Sequence, residues 1–402
     1  MNEISTGMLL IILAGIVVLS YLFSLVSKYI RIPSVLLLMF AGMGARLFTE
    51  SKGLSITFPE KIVELLGTVG LIIIVLEAGL DLKLKRSRIK LIRNSFAAAF
   101  VILLVTAAGI SLILHYWLGE DIKKCIIYAI PFSIMSSSIV IPSLHHLSET
   151  KKEFLIYEAS FSDMIGLLVF NYFIGDEIVS LNALGSFFLN ILAAIVLSLI
   201  FSLLLFVILT KTKMNIRFFL IFALLLILYE GGKMLNLPSL LIILLFGLLM
   251  NNWDLIKYSK FQELFPHSNV TETNLLLHSL TAESSFLIRT FFFILFGFSI
   301  DLSTVIHTQV LLLGTAIIIV LLAARYLYLR FFLKESIYPE VAFIPRGLIT
   351  ILLFYKIPKA YHLDSFYVGV LFFVILVSSG IMMLGMFFYK KRPEDIAEFI
   401  KE

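Results

Sequence analysis

The chain has 402 residues, 60% of them apolar and only 15% charged, with a mean hydropathy of +1.03. Soluble globular chains run at about 45–50% apolar and about 25% charged, which excludes a soluble enzyme, a disordered protein and a secreted disulfide scaffold. The lone Cys125 has no internal partner, no Cys/His spacing suggests zinc, and the net charge of +5 is to be read against a membrane rather than nucleic acid.

Long apolar runs between short polar loops predict an all-α membrane protein of about 13 transmembrane helices, since a spanning helix needs about 20 apolar residues. In chain order the runs are 7–27, 33–49, 61–80, 94–117, 123–147, 153–174, 182–210, 216–232, 238–253, 275–300, 308–329, 340–357 and 364–389. The first follows the acidic Glu3 and lacks a small-residue cleavage site, so a retained helix is expected rather than a signal peptide. Gly42-Met43-Gly44 lacks the third glycine of a dinucleotide fingerprint. No soluble regulatory domain is expected at either end, and 254–274 is the longest inside loop. With the N-terminus outside, inside loops hold 21 Lys and Arg and outside loops 8. Arg289, Arg325 and Arg346 fall within spans. Cytoplasmic loops are enriched in these residues, so the expected topology is N-terminus out, C-terminus in.

Ionisable residues inside a span are expensive and point to function. The sixth span reads Glu158-Ala-Ser-Phe-Ser162-Asp163. Asp163 lies ten residues from the inner end, about 15 Å deep at 1.5 Å per residue. A carboxylate there holds a proton, or a cation in its place, but not both, which is the physical core of an antiporter. Glu158 and Arg325 sit at matching depth on opposite halves of the chain. Either charge alone is costly in lipid, so the two are expected to pair and to support the ion helix. Ser162 shares a face with Glu158, one turn apart.

The fifth and twelfth spans are expected to be broken, at Ser136-Ser137-Ser138 with Pro142 and at Pro345-Arg346-Gly347. Matching discontinuous helices in two halves mark a transporter site. The triplets 94–117, 123–147, 153–174 and 308–329, 340–357, 364–389 correspond, each broken in its middle member. Ser137, Ser138 and freed carbonyls offer oxygen to a hard cation, and Arg346 is placed to offset half-helix C-termini. Glu77 reads as an interface residue near the inner end of its span. Glu283 and Arg289 read as structural, and Phe291–Phe293, Phe296 and Phe298 as lipid-facing or packing. His145 and His146 titrate near neutral pH but read as loop residues.

These residues resemble the monovalent cation:proton antiporter superfamily, in its electroneutral sodium/proton exchanger branch, over about 30–390. The resemblance rests on Ile32-Pro33 with Gly42, Leu76-Glu77-Ala78-Gly79-Leu80, Glu158 with Asp163, Arg325, and Arg346-Gly347. Two departures stand out. Ser162 occupies the place of the branch's usual asparagine or aspartate, and Ser136–Ser138 with a displaced Pro142 replaces its threonine-aspartate-proline. The resemblance implies an inverted-repeat fold and a homodimer in the plasma (inner) membrane. It also implies a core of 91–174 and 308–389 moving against scaffold helices 7–80 and 216–300. The expected partners are monovalent cations (Na+ first, then Li+ or K+), protons and the bilayer, with no cofactor and no nucleic acid. Asp163, Ser162, Ser137 and Ser138 are the expected cation and proton ligands. The expected activity is 1:1 exchange by alternating access. The alternatives are a K+/H+ antiporter of the same superfamily, a transport-dead sensor, and a channel or uniporter, for which the spans hold too few polar residues. A membrane-embedded enzyme would need a nucleophile cluster, and only His145-His146 with Glu149 approaches one.

Overall fold

Lipid offers no hydrogen bonds, so a spanning backbone must satisfy its own polar groups, and helices do this within one segment. The computed structural model is helical in this way. It describes residues 6–30, 32–53, 60–84, 86–144, 147–174, scattered residues between 185 and 204, 217–234, 239–252, 267–333 and 337–389. The ordered elements are α1 (Thr6–Ile30), α2 (Ser34–Ser51), α3 (Glu60–Asp81), α4 (Ile89–Leu118), α5 (Ile122–Ser133), α6 (Ser137–Ser143) and α7 (Glu149–Ile174). After them come α8 (Arg217–Met234), α9 (Ser239–Asn251), α10 (His267–Ser299), α11 (Leu302–Val305), α12 (Thr308–Tyr328), α13 (Leu348–Tyr355) and α14 (Gly369–Phe388). Among the described residues, five stretches are long and apolar enough to cross a membrane: Ile89–Leu118, Ile122–Ser143, Asn274–Ser299, Thr308–Phe332 and Gly369–Phe388. Their outward faces carry exposed Leu112, Ile319, Phe387 and Phe388, as lipid contact allows. The expected span 182–210 lies largely outside the described residues, as do His145, His146 and most of the loop 254–274.

The chain divides into two compact units. The first comprises Met1–Glu60, Arg93–Gly166 and Leu287–Glu402. Apolar side chains gain little by leaving lipid for one another, so its helices associate where small residues let backbones approach. A Cβ added to Gly42 of α2 would strike the backbone of Ile294 and Phe298 on α10, and one added to Gly297 would strike that of Met39. Ser20 of α1 and Thr290 of α10 share a buried hydrogen bond of 2.5 Å. Phe296 meets Phe372 of α14 at a centroid distance of 4.5 Å.

The same unit holds the two breaks. Asp121 caps α5, its side chain accepting from the Lys123 N–H. The helix stops at Ser133, Ile134 to Ser136 are not helical, and α6 resumes at Ser137. In the other half a 3-10 turn, Glu340–Ala342, leads into non-helical residues 343–347 and then α13. Tyr128 and Phe132 of α5 pack edge-on against Phe354 of α13. Each broken element lies between two long helices, α4 and α7 or α12 and α14, the paired arrangement of an inverted-repeat antiporter fold.

The second unit comprises Lys61–Ile92 and Leu167–Phe286. Here α3 and α9 touch backbone to backbone. A Cβ on Gly79 would lie 2.5 Å from the Leu244 carbonyl oxygen, and one on Gly247 would lie 2.8 Å from that of Leu76. Asn252, just past α9, accepts from the Leu84 N–H at 2.5 Å and donates to the Leu82 carbonyl at 2.7 Å. It thereby satisfies the loop that leaves α3. Glu77 accepts from the Ser285 hydroxyl at 2.5 Å, and Asp81 meets His278 at 2.8 Å. Glu77 thus sits against α10, as an element of packing within this unit.

Candidate functional site

The crossing of the two breaks organises the site. A broken helix exposes backbone donors and acceptors that must be met by protein at this depth. The Ser136 N–H donates to the Pro345 carbonyl at 3.0 Å, tying one break to the other. Gly347 makes that approach possible, because a Cβ there would overlap the Ser136 side chain. The Met135 N–H donates to Ser162 Oγ of α7 at 2.9 Å. Arg346, 2% exposed, donates through Nε to the Phe132 carbonyl at the end of α5, and through Nη1 to the Ile344 carbonyl at 2.9 Å. Its guanidinium therefore lies on an orphan carbonyl of a half-helix C-terminus, where positive charge is favoured, and on a carbonyl of the open segment 343–347. The Arg346 N–H donates to Ser378 Oγ of α14 at 3.1 Å.

Asp163 stands on α7 beside this crossing and is 2% exposed. Ser137, the first residue of α6, donates its hydroxyl to Asp163 Oδ2. Asp163 Oδ1 is buried and has no hydrogen-bond partner among the described residues. Ser138 meets Ser136, Oγ to Oγ at 2.9 Å. Of the four residues expected as ligands, Ser137 and Asp163 are thus in direct contact. Ser162 and Ser138 are tied to the broken segment itself.

Lower on α7, Glu158 and Arg325 of α12 form a two-pronged ion pair, with Nη1 to Oε1 at 2.6 Å and Nη2 to Oε2 at 2.9 Å. Both are 1–2% exposed. Arg325 Nε donates to the Glu340 carbonyl at 2.5 Å. The Glu340 carboxylate returns to α7 through Lys151 Nζ at 3.0 Å. Two turns of α7 are therefore clamped to the entry of the second broken element. Sequence reasoning missed Glu340, Lys151 and Ser378. Ser378-Ser379 does interrupt the apolar run of its span, and that interruption was the available signal. Among the described residues no group of three His, Cys, Asp or Glu side chains is placed to hold a resident metal.

A buried carboxylate beside two crossed, interrupted helices defines a helical, ion-coupled membrane transporter. The chain belongs to the sodium/hydrogen exchanger family, whose transmembrane model matches residues 14–389. It is thus a multi-pass membrane protein of a cation/proton antiport family. No curated protein sequence matches it significantly. Among solved structures it is similar to the sodium proton antiporter MjNhaP1 from Methanocaldococcus jannaschii at pH 8. The TM-score is 0.72 and the identity 18%, over 95% of this chain and 100% of that one. A three-dimensional electron-microscopy structure of the same antiporter gives 0.66 and 17%, over 97% of this chain and 100% of that one. At such identities the likeness concerns the fold.

Proposed function

We propose that this chain exchanges a monovalent cation, Na+ first, for H+ by alternating access, with Asp163 as the shared site. One observation carries the reading: a deeply buried carboxylate with one oxygen held by Ser137 and the other without a partner. A buried charge without compensation is strongly disfavoured. Asp163 therefore requires either a proton on the carboxyl or a cation beside it, and the two exclude each other. Ser137 orients the carboxylate, Glu158 with Arg325 fixes α7, and Arg346 fixes the crossing. Ser138 and Ser162 complete the polar surroundings. With one carboxylate serving both ions, the stoichiometry is 1:1 and transport is electroneutral.

The working form is a homodimer in the plasma membrane, N-terminus outside and C-terminus in the cytoplasm. Its core of 91–174 and 308–389 moves against helices 7–80 and 216–300. Membership of the sodium/hydrogen exchanger family supports the cation and the proton as substrates. The test is collapse of an imposed pH gradient in proteoliposomes on adding Na+, Li+ or K+, with Asp163→Asn alongside. Wild type should respond and the variant should not. Equal responses from both would remove Asp163 from the mechanism, and a membrane potential generated during turnover would refute the 1:1 ratio.

A further inference from the structure

Ser160 of α7 carries a hydroxyl that the fold does not use. The residue is 0% exposed, and its Oγ has no hydrogen-bond partner among the described residues. Buried Ser and Thr hydroxyls on helices commonly bond back to the carbonyl one turn earlier. The buried Thr106 and Ser133 do so here, as does the half-buried Ser143, and Ser160 does not. Three residues further along the same helix, Asp163 Oδ1 is also buried and also without a partner.

The two atoms belong to one helical neighbourhood. Residues three apart are neighbours on a helix surface, with Cβ atoms about 5–6 Å apart. Each Cα–Cβ bond tilts towards the helix N-terminus, so the Asp163 carboxylate leans over the turn that holds Ser160. Ala159, one turn before Asp163 in the alternative register, offers no oxygen. The hydroxyl of Ser162 already receives the Met135 N–H, and that of Ser137 already donates to Asp163 Oδ2. An unused hydroxyl and an unused carboxylate oxygen are thus left over on one turn. Each is costly to bury alone.

We propose that Ser160 is a ligand of the transported cation, its hydroxyl oxygen binding the ion together with Asp163 Oδ1. This rests on Asp163 being the ion carboxylate. A hard monovalent cation takes neutral and anionic oxygens alike, and a serine hydroxyl supplies the neutral kind without adding charge. When Asp163 is protonated on Oδ1, the same hydroxyl oxygen accepts that proton's hydrogen bond. Either occupant satisfies both atoms, and Ser160 sets how well the cation competes.

The test is cation titration of pH-gradient collapse in proteoliposomes holding wild type, Ser160→Ala, Ser160→Thr, Ser160→Cys or Asp163→Asn. Losing one oxygen from a charged partner should raise the apparent KM for Na+ about tenfold or more. Maximal rate should be retained, and the ratio of Li+ to Na+ affinity should change. Ser160→Thr keeps the oxygen and should restore the wild-type KM. Ser160→Cys should behave like Ser160→Ala, and it decides the question if the alanine variant elutes as aggregate. A wild-type KM and ion ratio in the folded Ala or Cys variant, with Asp163→Asn inactive, would overturn the role of Ser160 and leave antiport intact. Wild-type transport by Asp163→Asn would overturn both.

Discussion

The ion pair between Glu158 and Arg325 gives a quantitative forecast. Replacing Arg325 with Met leaves the Glu158 carboxylate buried without its partner and removes the donor to the Glu340 carbonyl. Breaking a buried pair on one side costs roughly 3–5 kcal/mol, and an orphaned buried carbonyl adds roughly 1–3 kcal/mol. That loss approaches the whole stability of an ordinary domain, about 5–15 kcal/mol. Replacing Glu158 with Met strands the guanidinium but keeps the Glu340 contact, so it should cost less than Arg325→Met. The double variant removes both charges and leaves only the carbonyl unmet. It should therefore be more stable than Arg325→Met alone, by about 2–3 kcal/mol or more. The assay is unfolding of the four proteins in one detergent, analysed as a double-mutant cycle. If the double variant loses as much as the two single variants together, the pair carries no coupling and the clamp on α7 is refuted.

Other outcomes follow from the same geometry. Ser137→Ala removes the donor to Asp163 Oδ2 and should raise the apparent KM for the cation about tenfold or more with folding retained, since hydrogen bonds to charged groups are worth roughly 1.5–3 kcal/mol; cation titration in proteoliposomes checks it. Arg346→Met strands the Phe132 and Ile344 carbonyls and should destabilise by roughly 2–4 kcal/mol, whereas Arg346→Lys, which lacks the guanidinium fork, should recover only part of that; thermal unfolding in detergent separates the two. Gly79→Leu forces a side chain into the Leu244 backbone and should abolish the monodisperse peak on size exclusion. Gly44→Ala on α2, where a Cβ meets nothing within 4 Å, should leave that peak unchanged.

The sequence made the helices legible because lipid leaves so few alternatives. An apolar run of spanning length must be helical, and twelve of the thirteen expected spans fall on described elements. The breaks were also legible in outline, from clustered serines and from Pro345-Arg346-Gly347. Their bounds were not. Pro131 and Pro142 both lie inside helices, and the open segment runs between them from Ile134 to Ser136. The run 340–357 was expected to break at Pro345-Arg346-Gly347, and the opening is wider than that: all of its first eight residues are a 3-10 turn and a non-helical stretch. Local pattern locates a weak point in a helix, while tertiary partners decide where the backbone opens. Here those partners are the Pro345 carbonyl and Ser162, which lie 209 and 27 positions from the groups they meet, Ser136 and Met135. The contacts of Glu340 with Arg325 and Lys151, and of Gly79 with Leu244, were equally out of reach. Each depends on which helix faces which, and neither side carries a local signature of the other.

The hydrogen bonds at the crossing also bear on what ligates the ion. Freed carbonyls were a natural expectation for cation ligands in an interrupted helix. In the structure the Phe132 carbonyl is committed to Arg346, and the Pro345 carbonyl to Ser136. Met135 and Arg346 find their N–H acceptors in Ser162 and Ser378. The protein thus meets these opened backbone groups with its own atoms. The breaks then act as supports that hold the α6 tip, and with it Ser137, against α7. Among the described residues, the buried side-chain oxygens left unmet include Ser379 Oγ on α14, and Asp163 Oδ1 and Ser160 Oγ on one turn of α7. Natural proteins break the rule of satisfied burial mainly where function requires it. Unmet atoms on a single turn of α7 support the proposal that proton and cation exchange on that helix, with the backbone of the crossing as scaffolding.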